Sequence, residues 1–306
     1  MDTSYSPKND STFFPPSQGG GRGWVFSFFL VFLSLLFACK KEIDFDYNEI
    51  DPIVIVEGRV TNEDMSVVIT KSRSVLDSVK GRCLTGADVV IACEGTKTVL
   101  PYDAAHGCYY SPLTGVPGKT YTMTVDFEGQ HYEATSTMTA PAPILTVEFL
   151  WQPVMKERLL AYELWGVDPE PDVRNCFWYR MDRTFHHPHF VEHKPTGAYR
   201  WSVFEDRGNL PGKLSLDVMC MSERAAEEDK EENWKGILYE GDTVTFQLMT
   251  IDRPTYDYFS SLRAGQSGGA NPRSNITGGC QGYFTAGSIT HADTLVFRYD
   301  IVKEVR

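Results

Sequence analysis

Hydrophobic and polar residues alternate with period two along much of this chain. The clearest case is Tyr121, Met123, Val125 and Phe127, which alternate with Thr122, Thr124, Asp126 and Glu128. Beyond Gly129, Tyr132, Ala134 and Met138 alternate with Glu133, Thr135 and Thr137. Two such runs around a glycine predict a strand pair. Upstream, Ile53-Val54-Ile55-Val56 is a continuous β-branched run, the pattern of a strand covered on both faces. Val67-Val68-Ile69, Ala87 to Ile91 and His106 to Tyr110 are further strand candidates, separated by turn signals at Asn62-Glu63-Asp64 and Glu94-Gly95. About seven strands in residues 51–140 point to an immunoglobulin-like or transthyretin-like sandwich. Strands do not alternate with helices, which disfavours a parallel nucleotide-binding sheet.

Ala140-Pro141-Ala142-Pro143 is the natural boundary, because closely spaced prolines interrupt a central strand and favour an extended linker. Residues 144–306 continue as a second β-rich domain with one or two short helices, so the chain reads as mainly all-β. Ile144 to Trp151, Arg158 to Trp165, Cys176 to Arg183, Tyr199 to Phe204, Leu214 to Met219 and Thr243 to Ile251 are its strand candidates. A last strand is expected over Thr294 to Val302, with Leu295, Phe297, Tyr299 and Ile301 on one face. A helix is predicted over Pro254 to Arg263: proline suits a first turn, and Thr255, Tyr258, Phe259 and Leu262 share one face. Ser222 to Glu232 is a second helix candidate, highly acidic and without an apolar stripe.

A different pattern precedes all of this. Trp24 to Ala38 is an uncharged apolar run of 15 residues, preceded by Arg22 and followed by Cys39-Lys40-Lys41. It is short for a bilayer span, which needs roughly 20 residues, and matches the hydrophobic region of a secretory leader. Leu36-Phe37-Ala38-Cys39 resembles a bacterial lipobox, with cleavage after Ala38 and lipid on the Cys39 thiol. Residues 1–38 are therefore expected to be a lipoprotein signal peptide. Residues 39–50 are expected to be an acidic tether, and its lysines and carboxylates loosely resemble a signal for export to the cell surface.

The net charge is −12, all of it carried after residue 38 because Asp2 and Asp10 balance Lys8 and Arg22. That balance opposes nucleic acid or an anionic lipid surface as partner. Six cysteines remain besides Cys39: Cys83, Cys93, Cys108, Cys176, Cys220 and Cys280. None forms a C-x-x-C pair, which argues against structural zinc. Export permits disulfides, and buried thiols are the alternative.

Chemistry-bearing patterns are sparse. His187, His189 and His193 would share a face of an extended strand and are the candidate metal ligands, beside His186 and Glu192; Pro188 interrupts the run, and no metal or other cofactor is expected. Gly265-Gln266-Ser267-Gly268-Gly269 has the spacing of a nucleophile elbow but not its strand-to-helix setting. Trp151, Trp165, Trp178, Trp201 and Trp234 are spaced without clustering and read as core. A hydrolase would need converging carboxylates or a Ser–His pair, which no spacing here supplies.

Pro52 to Thr61, the Tyr256-x-Tyr258-Phe259-x-x-Leu262 helix, and Asn271-Pro272-Arg273-Ser274-Asn275-Ile276-Thr277-Gly278-Gly279-Cys280-Gln281-Gly282-Tyr283-Phe284 together resemble the lipoprotein family known as domain of unknown function 4249. Within the last block, Asn271, Pro272, Asn275, Gly278, Gly279 and Gly282 are the candidate binding or structural loop. The resemblance implies a two-part β protein, held by its N-terminal lipid on the outer membrane and facing outside, without enzymatic activity. It implies a TonB-dependent outer-membrane receptor as partner in nutrient uptake. A structural or adhesive surface protein is the alternative, and an envelope hydrolase the more remote one.

Overall fold

The β-branched run after Pro52 becomes strand β1 (Val54–Thr61), which pairs antiparallel with β2 (Met65–Lys71). There follow β3 (Asp88–Cys93), β4 (Thr96–Val99), β5 (Tyr102–Asp103), β6 (Cys108–Ser111), β7 (Thr120–Phe127) and β8 (Gln130–Thr137). The computed structural model describes residues 51–72, 82–186, 196–222, 225, 236–265 and 271–305. The β7–β8 hairpin has the register that the alternation predicts, Phe127 facing Gln130 and Tyr121 facing Ser136. Its turn at Glu128-Gly129 has positive φ at both residues, 51° and 76°, the backbone twist that suits a two-residue hairpin loop.

The second half contributes β9 (Ile144–Val154), β10 (Glu157–Gly166), β11 (Cys176–Thr184), β12 (Thr196–Glu205), β13 (Leu214–Ser222) and β14 (Thr243–Ile251). Helix α1 (Arg253–Gly265) comes next, followed by β15 (Gln281–Gly287), β16 (Ile289–His291), β17 (Leu295–Val296) and β18 (Lys303–Glu304). Asp252 caps the helix: its Oδ1 accepts the Thr255 N–H at 3.0 Å, satisfying one of the open donors of the first turn. Of the Ser222 to Glu232 helix candidate, only Ser222, the last residue of β13, and Ala225 lie within the described residues.

Among the described residues these strands form four sheets, with orders β15-β1-β2-β6-β5, β4-β3-β7-β8, β13-β10-β9-β18 and β12-β11-β14-β16. The first two enclose a core in which Val56, Val60, Val67, Ile69, Met123 and Val125 are essentially inaccessible. Burying each such side chain contributes about 1.5–3 kcal/mol. The other two enclose a second core around Phe149, Tyr162, Phe177, Phe246 and Phe297. A third, smaller cluster, including Cys176, Met249, Tyr258, Phe259 and Tyr283, lies on the opposite face of the β11–β14 pair.

Mainly β architecture is thus as the sequence reads. The Ala140–Pro143 boundary, however, is crossed. β15 returns from the C-terminal part to the edge of the first sheet, where it pairs in parallel with β1 from Ile55–Gln281 to Thr61–Gly287, and residues 51–306 form one compact unit. The reason is that β1 needs a partner on its second edge, and β7 and β8 are already spent on the facing sheet.

The expected last strand is also revised. Pairing with β14 stops at Val296, opposite Thr243, the first residue of β14. Phe297 still exchanges backbone hydrogen bonds with Asp242 and Gly241, each at 2.8 Å, and is buried in the core, while Tyr299–Ile301 form a 3-10 turn with both Tyr299 and Ile301 exposed. β18 then pairs in parallel with β9.

Candidate functional site

Residues 52–61 lie far in sequence from the helix and the 271–284 block, and the three stretches meet in space. Residues 271–282 form a clasp. The Asn275 side chain copies a strand partner: its Nδ2 donates to the Phe284 carbonyl at 2.8 Å, and its Oδ1 accepts the Phe284 N–H at 2.9 Å. The Thr255 hydroxyl of α1 donates to the same carbonyl at 3.3 Å. Thr277 bonds the Glu133 carbonyl through its N–H at 2.8 Å and through its hydroxyl at 3.0 Å, which fastens the loop to β8.

Gly278 and Gly282 make this approach feasible. A Cβ on Gly278 would lie 2.2 Å from the His131 carbonyl oxygen, and one on Gly282 would lie 1.8 Å from that of Val56. Both also have positive φ, 97° and 124°, where side chains are strained. Gly279 shares the positive φ but faces open space. Asn271 is exposed and Pro272 half-exposed at the start of the loop. Ser136 ties the parts together: its hydroxyl donates to the capping residue Asp252 at 2.5 Å and accepts the Ala286 N–H at 2.8 Å.

Gly58 of β1 belongs to the same interlock, since a Cβ there would meet Met123 at 2.5 Å and Phe284 at 3.0 Å. Gly58, Asn275, Gly278, Gly282 and Phe284 therefore close the fold.

Tyr258, Phe259 and Tyr283 do something else. With Trp178 of β11 and Trp201 of β12 they build an aromatic cluster. Phe259 is its centre, with ring centroids 4.8 Å from Trp178, 4.8 Å from Tyr283, 5.3 Å from Tyr258 and 5.8 Å from Trp201. The tryptophan spacing did not foretell this meeting of Trp178 and Trp201. Trp151 belongs to the second core, Trp165 is exposed, and Trp234 lies outside the described residues.

Beside this cluster stands Glu57, on the rung of β1 opposite Tyr283. It is half-buried, and burial raises its carboxyl above the usual carboxylate range. Burial and then the Glu57 charge push the Tyr258 phenol up to about 12; the same two causes, in the same order, raise Tyr283. The carboxylate and both phenols thus share one neighbourhood. Sequence reasoning passed over Glu57. The available signal was a carboxylate set in the otherwise apolar run from Ile53 to Val60, where only Arg59 is also charged.

The histidine candidates His187, His189 and His193 lie outside the described residues, as do Cys39 and Ala38. Of the Gly265–Gly269 pattern only Gly265, the end of α1, is described. Among the described residues no three His, Cys, Asp or Glu side chains are grouped to hold a metal ion. Cys83, Cys93, Cys108, Cys176, Cys220 and Cys280 are free thiols. Burial pushes Cys176 and Cys280 up to about 11 and Cys220 to about 12, so these three stay protonated and unreactive near neutral pH.

Residues 40–293 match the family model described as domain of unknown function (DUF4249). No curated protein matches the chain. A solved structure titled "Cytokine receptor complex - Crystal form 2" is 12% identical, with 66% of this chain and 93% of that chain covered and a TM-score of 0.25, a likeness too slight to bear on fold or function.

Proposed function

The chain belongs to the DUF4249 family, and on that premise we propose that it is a lipid-anchored outer-membrane protein serving as a non-catalytic accessory or binding subunit of a TonB-dependent nutrient uptake system. The observation that carries this reading is the uncharged run Trp24 to Ala38 ending at Cys39. The family match supports it by starting at Lys40, the residue after that cysteine. An acyl chain contributes about 0.8 kcal/mol per buried methylene, and more than one chain makes attachment stable. The eleven residues 40–50, four of them acidic, then separate the lipid from the folded unit that starts at Asp51. Layered sheets fastened by a clasp support a rigid module that presents loops to a partner.

Two measurements test the reading. Mass spectrometry of the native protein should find an N-terminus at Cys39 bearing acyl groups, and Cys39→Ser should release the protein from the membrane fraction. Pull-down from mildly solubilised outer membrane should recover a large barrel receptor. A chain still starting at Met1 ends the anchoring proposal, and recovery of the lipoprotein alone ends the accessory one.

A further inference from the structure

We propose that the Glu57 carboxylate and the hydroxyls of Tyr258 and Tyr283 form a binding site for an organic cation of the alkylammonium class. The site is independent of the membrane reading and lies wholly within β1, α1 and β15. Its first support is polar groups left without partners. Tyr258 and Tyr283 are 6% and 7% exposed. Neither hydroxyl, nor the Glu57 carboxylate, has a hydrogen bond or ion pair among the described residues. The polar atoms around them are in the same condition. Gln281 Oε1 and Thr285 Oγ1, two residues to either side of Tyr283 along β15, and Trp178 Nε1 are buried without a hydrogen-bond partner. Trp178 lies edge-on to Tyr283 at 6.3 Å.

The second support is charge. A half-buried carboxylate without a counter-charge is costly. The neighbouring cation on β1, Arg59, acts on Tyr283 through its charge but spends its hydrogen bonds elsewhere: its Nε donates to Ser66 at 2.8 Å and its guanidinium reaches Asp64 at 3.5 Å. A ligand ammonium supplies three donors and no acceptor, which suits one carboxylate and two phenol oxygens. The tyrosine rings, 5.3 Å apart, add cation–π attraction. A neutral polyol could bond the same oxygens but would leave the charge uncompensated, and an anion would be repelled. The net charge of −12 favours arrival of a cation.

The test is saturation-transfer NMR on the full chain in non-ionic detergent, with detergent alone as blank. The probes are n-butylammonium chloride and its neutral isostere n-butanol. Butylammonium should take up saturation from the aromatic rings and butanol should not. Glu57→Gln should weaken butylammonium binding by about tenfold or more, as expected for loss of a charge-assisted hydrogen bond. Tyr258→Phe and Tyr283→Phe keep the ring packing and remove only the hydroxyls, so they should weaken it less while leaving the unfolding midpoint unchanged. Absence of butylammonium binding, equal binding of butanol, or binding indifferent to Glu57→Gln each overturns the proposal.

Discussion

Gly282→Ala tests whether the clasp is closed by steric necessity. Gly282 occupies the rung opposite Val56, and the added methyl would stand 1.8 Å from the Val56 oxygen, 2.7 Å from its carbonyl carbon and 2.9 Å from its nitrogen. These are backbone atoms of a central strand, so rotamer changes cannot relieve the clash. Either β15 moves away from β1, loosening the parallel ladder and the fully buried Phe284 and Ala286, or the clash remains. Overpacking of this kind costs about 1–3 kcal/mol, and a non-glycine residue at positive φ adds roughly 1–2 kcal/mol. The sum, about 2–5 kcal/mol, is a large share of a typical stability of 5–15 kcal/mol. Gly279→Ala is the control. Its φ is also positive, 89°, but a Cβ there meets nothing within 4 Å, so only the backbone term of roughly 1–2 kcal/mol applies. Urea unfolding of the full chain, followed by tryptophan fluorescence, measures both. A Gly282→Ala midpoint as high as that of Gly279→Ala would refute the steric account of the clasp.

Asn275→Ala removes both side-chain bonds to Phe284, and leaving those backbone groups unpaired should cost about 1–3 kcal/mol in the same unfolding assay. Glu57→Gln should raise stability at neutral and alkaline pH and match the parent at low pH. Burial raises the native carboxyl above its unfolded value, so the native state holds the proton more tightly and parent stability falls as pH rises through the native pKa; unfolding midpoints at acid and neutral pH check the sign. Phe297→Ala should cost about 3–5 kcal/mol, whereas Ile301→Ala should stay within about 0.5 kcal/mol. Near-equal effects of these two would restore the single-strand reading of residues 294–302.

Period two marks most of the strands, because alternation records which face of a strand meets a core. The β7–β8 hairpin, with Met123 and Val125 inward and Thr122 and Thr124 outward, is the plainest instance. The helix was legible for a similar reason, from Tyr258 and Phe259 on one face and proline in the first turn. The same logic failed at Tyr299 and Ile301. Alternation cannot tell whether a neighbouring strand is present, and there the ladder with β14 ends.

Local elements, their turns and the mainly β class were thus determined by the sequence itself, since each depends on residues within one short window. Tertiary structure alone decided that β15 lies beside β1, joining Ile55 to Gln281, and so that Glu57, Tyr258 and Tyr283 share one neighbourhood. That pairing depends on a match between distant surfaces: a free edge on β1, and a glycine small enough to lie against Val56. No stretch of neighbouring residues contains both halves of that match.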